Sequence, residues 1–270
     1  MMTTHPFDDA LELEATEGRG VLRGRTTPEW ANMVGPFGGV TAALLLRAVE
    51  LHPDRMGEPV SLTANFVAPV ADGAFDIAAR AVRTNRSNQH WLVELSQNGE
   101  IKTNASAVFA TRRDTWTDTE AVPPDVPQPE DIASAEAPGL VQWVSNFDMR
   151  FVIGDAPRRD GDAVASSATA LWVRDRRDRR LDFAALTALG DIFYPRVFVR
   201  RGSASPAGTV TMTTYFHAES TDLDRVGDDF VLAHARANRF GRGYFDQSAT
   251  LWSRSGELLV TTHQLVYFRT

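Results

Sequence analysis

The side chains able to do chemistry are few in kind. The chain has no cysteine. Thiol nucleophiles, thiolate metal sites, iron–sulfur clusters and disulfides are therefore excluded. Its six histidines show no metal-ligand spacing, and none stands in a nucleophile–base arrangement. No metal or cofactor is expected. Gln264 sits in an apolar run, where an amide buried without partners would be costly. Gly38-Gly39 opens an apolar helix. Glycine there either lets a ligand approach backbone N–H groups or simply starts a tightly packed helix. Arg174, Arg176, Arg177, Arg179 and Arg180 alternate with Asp175 and Asp178. That run reads first as a solvated, salt-bridged loop. Its second reading is a dock for phosphates, with Arg196, Arg200 and Arg201 as similar candidates. Gly241-Arg242-Gly243 is better explained by a bulge or turn than by phosphate binding.

These groups need a scaffold, and the composition bounds it. The 270 residues are about 1.8 times a typical domain, which points to two domains or two similar halves. Hydrophobic residues make up 43% and charged residues 23%, enough apolar material for a sizeable core. The net charge of −7 argues against nucleic acid as a partner. The segment Met1 to Glu17 is acidic and has no apolar signal-like region, and no apolar run is long enough to span a bilayer. The expectation is a soluble, cytoplasmic protein with no membrane partner.

Five prolines, Pro123, Pro124, Pro127, Pro129 and Pro138, lie among Asp125, Glu130, Asp131 and Glu136. Proline lacks the ladder donor, so this stretch reads as an exposed connector. Before it, Val40 to Leu51 is apolar nearly all round and predicts a buried helix, ended by His52-Pro53. Strands are predicted at residues 60–70, 74–84, 90–96 and 101–111, with Asn98-Gly99 as a hairpin turn. After the connector the order repeats. A strand is expected at 163–173, a helix at 181–193 before Pro195, then strands at 209–218, 230–238, 243–253 and 258–268. Ser255-Gly256 makes the last turn.

The halves also match residue by residue. Pro59 to Ala68 lies over Thr209 to Ala218, Asn85-Arg86 over Asn238-Arg239, and Gly99-Glu100-Ile101 over Gly256-Glu257-Leu258. A duplicated unit follows: one buried helix against an antiparallel sheet, present twice. This is an α+β, double hot-dog fold. Its expected parts are an N-terminal repeat over 1–118, a Pro- and acid-rich linker over 119–145, and a C-terminal repeat over 146–270. Exposed sheet edges tend to be paired, so a homo-oligomer is expected.

Four segments, in this order and spacing, resemble the acyl-CoA thioesterase II (TesB-like) family of double hot-dog proteins. They are Gly35-Pro36-Phe37-Gly38-Gly39, Ala188-Leu189-Gly190-Asp191, Thr209-Val210 leading to Tyr215-Phe216-His217, and Arg242 through Gln264. The resemblance implies an Asp, a Ser or Thr, and a Gln as the working residues. They fall on Asp191, Thr209 and Gln264, with the first half as a degenerate partner. It departs at Thr211-Met212-Thr213, where the family often has Asp-His-Ser. The repeat adds an independent contrast: Pro59 stands where the second half has Thr209, and Ala107 where it has Gln264.

The activity implied is acyl-CoA hydrolysis to free acid and coenzyme A. Asp191 would be the general base, with Thr209 and Gln264 fixing the water. Gly38 and Gly39 would lie against the substrate, and Arg196 would bind it. Two alternatives share the fold: a non-catalytic acyl-ligand binder and an enoyl-CoA hydratase. Gly190-Asp191-Ile192-Phe193-Tyr194-Pro195-Arg196 begins like a hydratase motif but offers neither its His nor its Asn. Phe37, Trp143, Phe193 and Tyr194 could line a pocket, with ordinary core packing as the preferred reading.

Overall fold

The computed structural model describes residues 4–135, 141–157 and 161–269. Glu136 and Pro138 of the connector lie outside them. Thirteen strands and five α-helices are present among the described residues. In the first half these are α1 (Pro6–Ala10), β1 (Glu14–Ala15), β2 (Val21–Arg25), α2 (Gly38–Glu50), β3 (Glu58–Phe66), β4 (Ala74–Thr84), β5 (Asn88–Gln97) and β6 (Glu100–Ala110). The second half has β7 (Phe147–Ile153), β8 (Thr169–Asp175), α3 (Phe183–Leu189), α4 (Arg196–Arg201), β9 (Ala207–Phe216), α5 (Ser220–Val226), β10 (Val231–Arg236), β11 (Phe240–Gly241), β12 (Tyr244–Trp252) and β13 (Leu258–Phe268).

All strands join one antiparallel sheet. Its order is β1-β2-β4-β5-β6-β3-β9-β13-β12-β10-β8-β7, with β11 paired to β12. The order mirrors itself about the β3–β9 seam. The register does so as well. Ser61 pairs with Tyr215, Thr63 with Thr213 and Asn65 with Thr211. The Thr63 and Thr213 hydroxyls lie 3.0 Å apart at the centre.

Irregularities recur in both halves. The β3–β6 ladder steps from Pro59–Phe109 to Ser61–Val108, passing over Val60. The β9–β13 ladder steps from Thr209–Val266 to Thr211–Leu265, passing over Val210. A second bulge passes over Lys102 in one half and Leu259 in the other. The carbonyl of each accepts two N–H donors from the end of the neighbouring strand, Val67 and Ala68 or His217 and Ala218. In the same frame, Leu62–Ala107 corresponds to Met212–Gln264. Asn98 and Gly99 both take positive φ, at 52° and 79°, as a tight hairpin turn requires.

The helix α2 is buried along most of its length and packs on α3, β4, β5 and β6. Gly39 permits the helix–helix contact: a Cβ there would meet the Ala188 carbonyl at 2.6 Å. One continuous apolar core takes Leu45, Leu62 and Trp91 from the first half and Leu186, Met212 and Val260 from the second.

Several elements differ from expectation. The helix expected over 181–193 is only α3. Asp182 caps its start by accepting from the Ala185 N–H at 2.8 Å. Its end comes at Gly190, whose N–H closes the last turn on Leu186 and Thr187. Pro195 then disfavours helical geometry at Tyr194, and a separate α4 begins after it. The strand expected from 163 starts at Thr169, because its ladder with β10 ends at the Thr169–Ala235 pair. The alternating Phe147, Met149, Phe151 and Ile153 form β7, which was not anticipated. The connector is not wholly exposed. Its Pro129 is buried, and the Pro127 carbonyl accepts from the Trp172 indole at 2.8 Å. Trp143 and Val144, at its end, enter the core.

Candidate active site

Four elements converge at one place. Asp191 emerges just after α3, where the chain turns out of the helix. Gly38 and Gly39 open α2 beside it. Thr209 sits at the start of β9, at the bulge that leaves Val210 unpaired; bulges re-aim side chains in this way. Gln264 lies midway along β13, directed inward between the exposed His263 and Leu265. It is 2% exposed.

A short chain of hydrogen bonds links them. The Thr209 hydroxyl donates to Gln264 Oε1 over a long 3.5 Å. Gln264 Nε2 donates to Asp191 Oδ1 at 2.8 Å and also faces Met212 Sδ at 3.3 Å. The Gly39 backbone N–H bonds the same carboxylate. Gly38 needs its hydrogen side chain, since a Cβ would lie 2.7 Å from Asp191 Oδ2. Burial raises the Asp191 carboxyl to about 7, against the lowering pull of the bonds from Gln264 and Gly39. Charge on a desolvated carboxylate is costly, and two donors do not offset that cost.

Two cavities meet at Asp191 and Thr209. One, of about 170 Å³, is walled by Phe37, Trp143, Phe193, Tyr194, Phe198 and Val266. The other, of about 770 Å³, is wider and runs past Gly38, Phe66, Val67, Thr103 and Tyr267. The four aromatics singled out from sequence are thus core residues that also line the smaller cavity. Their rings pack closely, with Phe37 and Trp143 stacked at 4.3 Å and 11°. Burial also pushes the Tyr194 hydroxyl up to about 12. Sequence reasoning missed Asn32, Met33 and Phe198. Nothing in the spacing of the loop before α2 marks the first two. It had noted Met212 as a departure, without a partner for its sulfur.

Arg196 is not brought to this site. Its guanidinium is 1% exposed and donates to the Tyr194 carbonyl, the Ser167 carbonyl at 3.1 Å and the Thr169 hydroxyl at 2.6 Å. Desolvation lowers it to about 9. It ties the segment before α4 to β8. The arginine-rich loop behaves as the salt-bridged reading expects. Arg179 bonds Asp8 and Asp182, Arg174 pairs with Asp178, and none of the five lines either cavity. Gly241-Arg242-Gly243 is a turn into β12, with positive φ at Arg242 and Gly243.

The sheet and its buried helices define a hot-dog-fold protein with one carboxylate at the junction of two cavities. Comparison with solved structures agrees on the fold. A conserved hot-dog-fold protein of unknown function from Alicyclobacillus acidocaldarius is 47% identical, with 99% of each chain covered and a TM-score of 0.94. A TesB protein from Mycobacterium avium subspecies paratuberculosis (19% identity, 98% of each chain, TM-score 0.78) shares the fold. So does an acyl-CoA thioesterase II from Mycobacterium marinum (18% identity, 97% of this chain and 98% of that one, TM-score 0.74). Residues 118–268 match the acyl-CoA thioesterase C-terminal domain, and residues 27–110 match its N-terminal domain. The chain belongs to the acyl-CoA thioesterase family. A comparison with curated proteins returns no match. No helix among the described residues is long and apolar enough to cross a membrane.

Proposed function

We propose that this protein hydrolyses acyl-CoA thioesters with Asp191 as general base. The observation that carries the reading is the Asp191 carboxylate itself. It is held by Gln264 and Gly39 where two cavities meet, and its pKa of about 7 suits a base working near neutrality. Asp191 takes a proton from water as the water oxygen adds to the thioester carbonyl carbon. Gln264, held by Thr209, keeps the carboxylate in one orientation. The N-terminus of α2, which opens on the wide cavity at Gly38, supplies N–H donors and a positive dipole end for the oxyanion. Collapse breaks the C–S bond, and the proton held on Asp191 passes to the leaving thiolate. The products are the free acid and coenzyme A.

The double hot-dog arrangement belongs to this reading, supported by the mirrored strand order and the twice-used bulges. So does a division into repeats at 1–118 and 146–270 around the 119–145 linker, with a single working site in the second. A cytoplasmic, homo-oligomeric protein is the accompanying expectation. Hydration of enoyl-CoA by an Asp/His pair gains no support, because no histidine is among the residues lining either cavity. The test is thiol release from acyl-CoA by the native chain and by Asp191→Asn. A fall of about 10²–10⁴-fold in kcat is expected. Undiminished release by the variant would remove Asp191 from the mechanism.

A further inference from the structure

The two cavities differ in kind, and a thioester has two unlike arms. The coenzyme A arm is long, polar and charged, and it must reach solvent. The wide cavity, of about 770 Å³ and bordered by the exposed Val34 and Val67, has the room and the access to solvent that this arm needs. The acyl arm is apolar and gains by leaving water. The smaller cavity suits that arm, since five buried aromatic rings, Phe37, Trp143, Phe193, Tyr194 and Phe198, stand in its wall. Its volume of about 170 Å³ is close to that of an apolar protein cavity of about 150 Å³ that admits benzene.

Resting on the thioesterase reading above, we infer that the acyl group accepted here is compact: a short alkyl or single-ring acyl of about six carbons. Phe193, Tyr194 and Phe198 line the smaller cavity and not the wide one. With Phe37 and Trp143 they give this cavity a wall of buried rings that the wide cavity lacks. A longer chain has no room there without displacing buried rings, and well-packed interiors resist such displacement. The stacked Phe37–Trp143 pair presents a flat wall, which suits a planar ring as well as a short chain.

The experiment uses non-hydrolysable S-(2-oxoalkyl) thioethers of coenzyme A, which keep the carbonyl, bound to the full chain and followed by calorimetry. Affinity is expected to rise about fourfold per methylene up to about six carbons and then to level or fall. A phenyl-bearing analogue is expected to bind as tightly as the best alkyl one. A rise continuing through decyl to hexadecyl would overturn the inference and place the chain in the wide cavity; binding by no analogue would overturn it too. These readouts do not depend on turnover. If the break appears but no acyl-CoA is hydrolysed, the size limit stands and the thioesterase reading falls. Phe198→Leu, checked by melting for a retained fold, should move the break to longer chains. An unmoved break would show that Phe198 does not set the limit and would sink the inference.

Discussion

Replacing Asp191 with Asn should change stability in a way that depends on pH, and the structure gives the size. The carboxyl rises from an ordinary 3.8 to about 7 in the folded chain. A raised acid binds its proton more tightly when folded than when unfolded. Folding is therefore unpenalised below about pH 3.8, loses stability as pH climbs from there to about 7, and is flat above. At about 1.4 kcal/mol per pH unit, the full penalty is on the order of 4 kcal/mol. Asn carries no charge and no such penalty. One of the two donors now on the carboxylate would instead face an amide NH₂, which costs about 1–3 kcal/mol at any pH. The clean quantity is thus the slope. The stability of Asp191→Asn minus that of the native chain should grow by about 2–3 kcal/mol between pH 5 and pH 8. Urea unfolding at four pH values in that range measures it, and every other titrating group cancels in the difference. A flat difference, or one that shrinks with pH, would mean that the carboxylate is not penalised by burial, and the argument for a base near neutrality would go with it.

Further outcomes follow from the same geometry. The pH profile of kcat/KM should rise through about 7, and Gln264→Ala should move that midpoint upward, because the Gln264 bond holds the carboxyl down. The lost charge-assisted bond should also cut kcat/KM by about 10–100-fold. Gly38→Ala puts a Cβ 2.7 Å from Asp191 Oδ2 and should cost about 10²-fold in rate by displacing it. Gly39→Ala meets the Ala188 carbonyl at 2.6 Å and should instead destabilise the fold by about 1–3 kcal/mol in urea unfolding. Arg196→Lys loses the planar fork that serves three acceptors. It should destabilise the fold by about 3 kcal/mol while leaving KM for acyl-CoA unchanged. A raised KM with normal melting would restore Arg196 as a substrate contact.

What could be read from the residues depended on whether local pattern or distant packing decided the outcome. The pairs Pro59/Thr209 and Ala107/Gln264 were legible because strands keep register, and the ladders of the two halves share even their bulges. The start of α2 was legible from Gly38-Gly39. The length of the second helix was not. Leu181 to Phe193 is apolar apart from Asp182, Thr187 and Asp191, and the Asp182 cap and the turn at Gly190 cut it to α3. The strand β7 carried a clear alternation, hidden beside a proline-rich stretch that drew the eye as a connector. Arg196 was misread because an arginine in sequence looks like a surface cation. Three acceptors spread over residues 167–194 bury it, and no spacing rule reports them. The cavity walls were half legible. Aromatics can be seen to be apolar, but whether they close on one another or around a space depends on how both halves meet.

The seam between β3 and β9 has a bearing on how such a site can change over generations. An assembly of two identical chains must accept each replacement in both places at once. A proline at the first position of that bulge would then strip both copies of their hydroxyl. Here the matching edges, Ser61–Asn65 against Thr211–Tyr215, belong to one gene product. Each position can be selected alone. Pro59 and Ala107 could settle for what a strand needs while Thr209 and Gln264 kept what a carboxylate needs. Descent from a symmetric ancestor would leave the trace found in the ladders that flank this seam: a backbone that still obeys the twofold and side chains that no longer do.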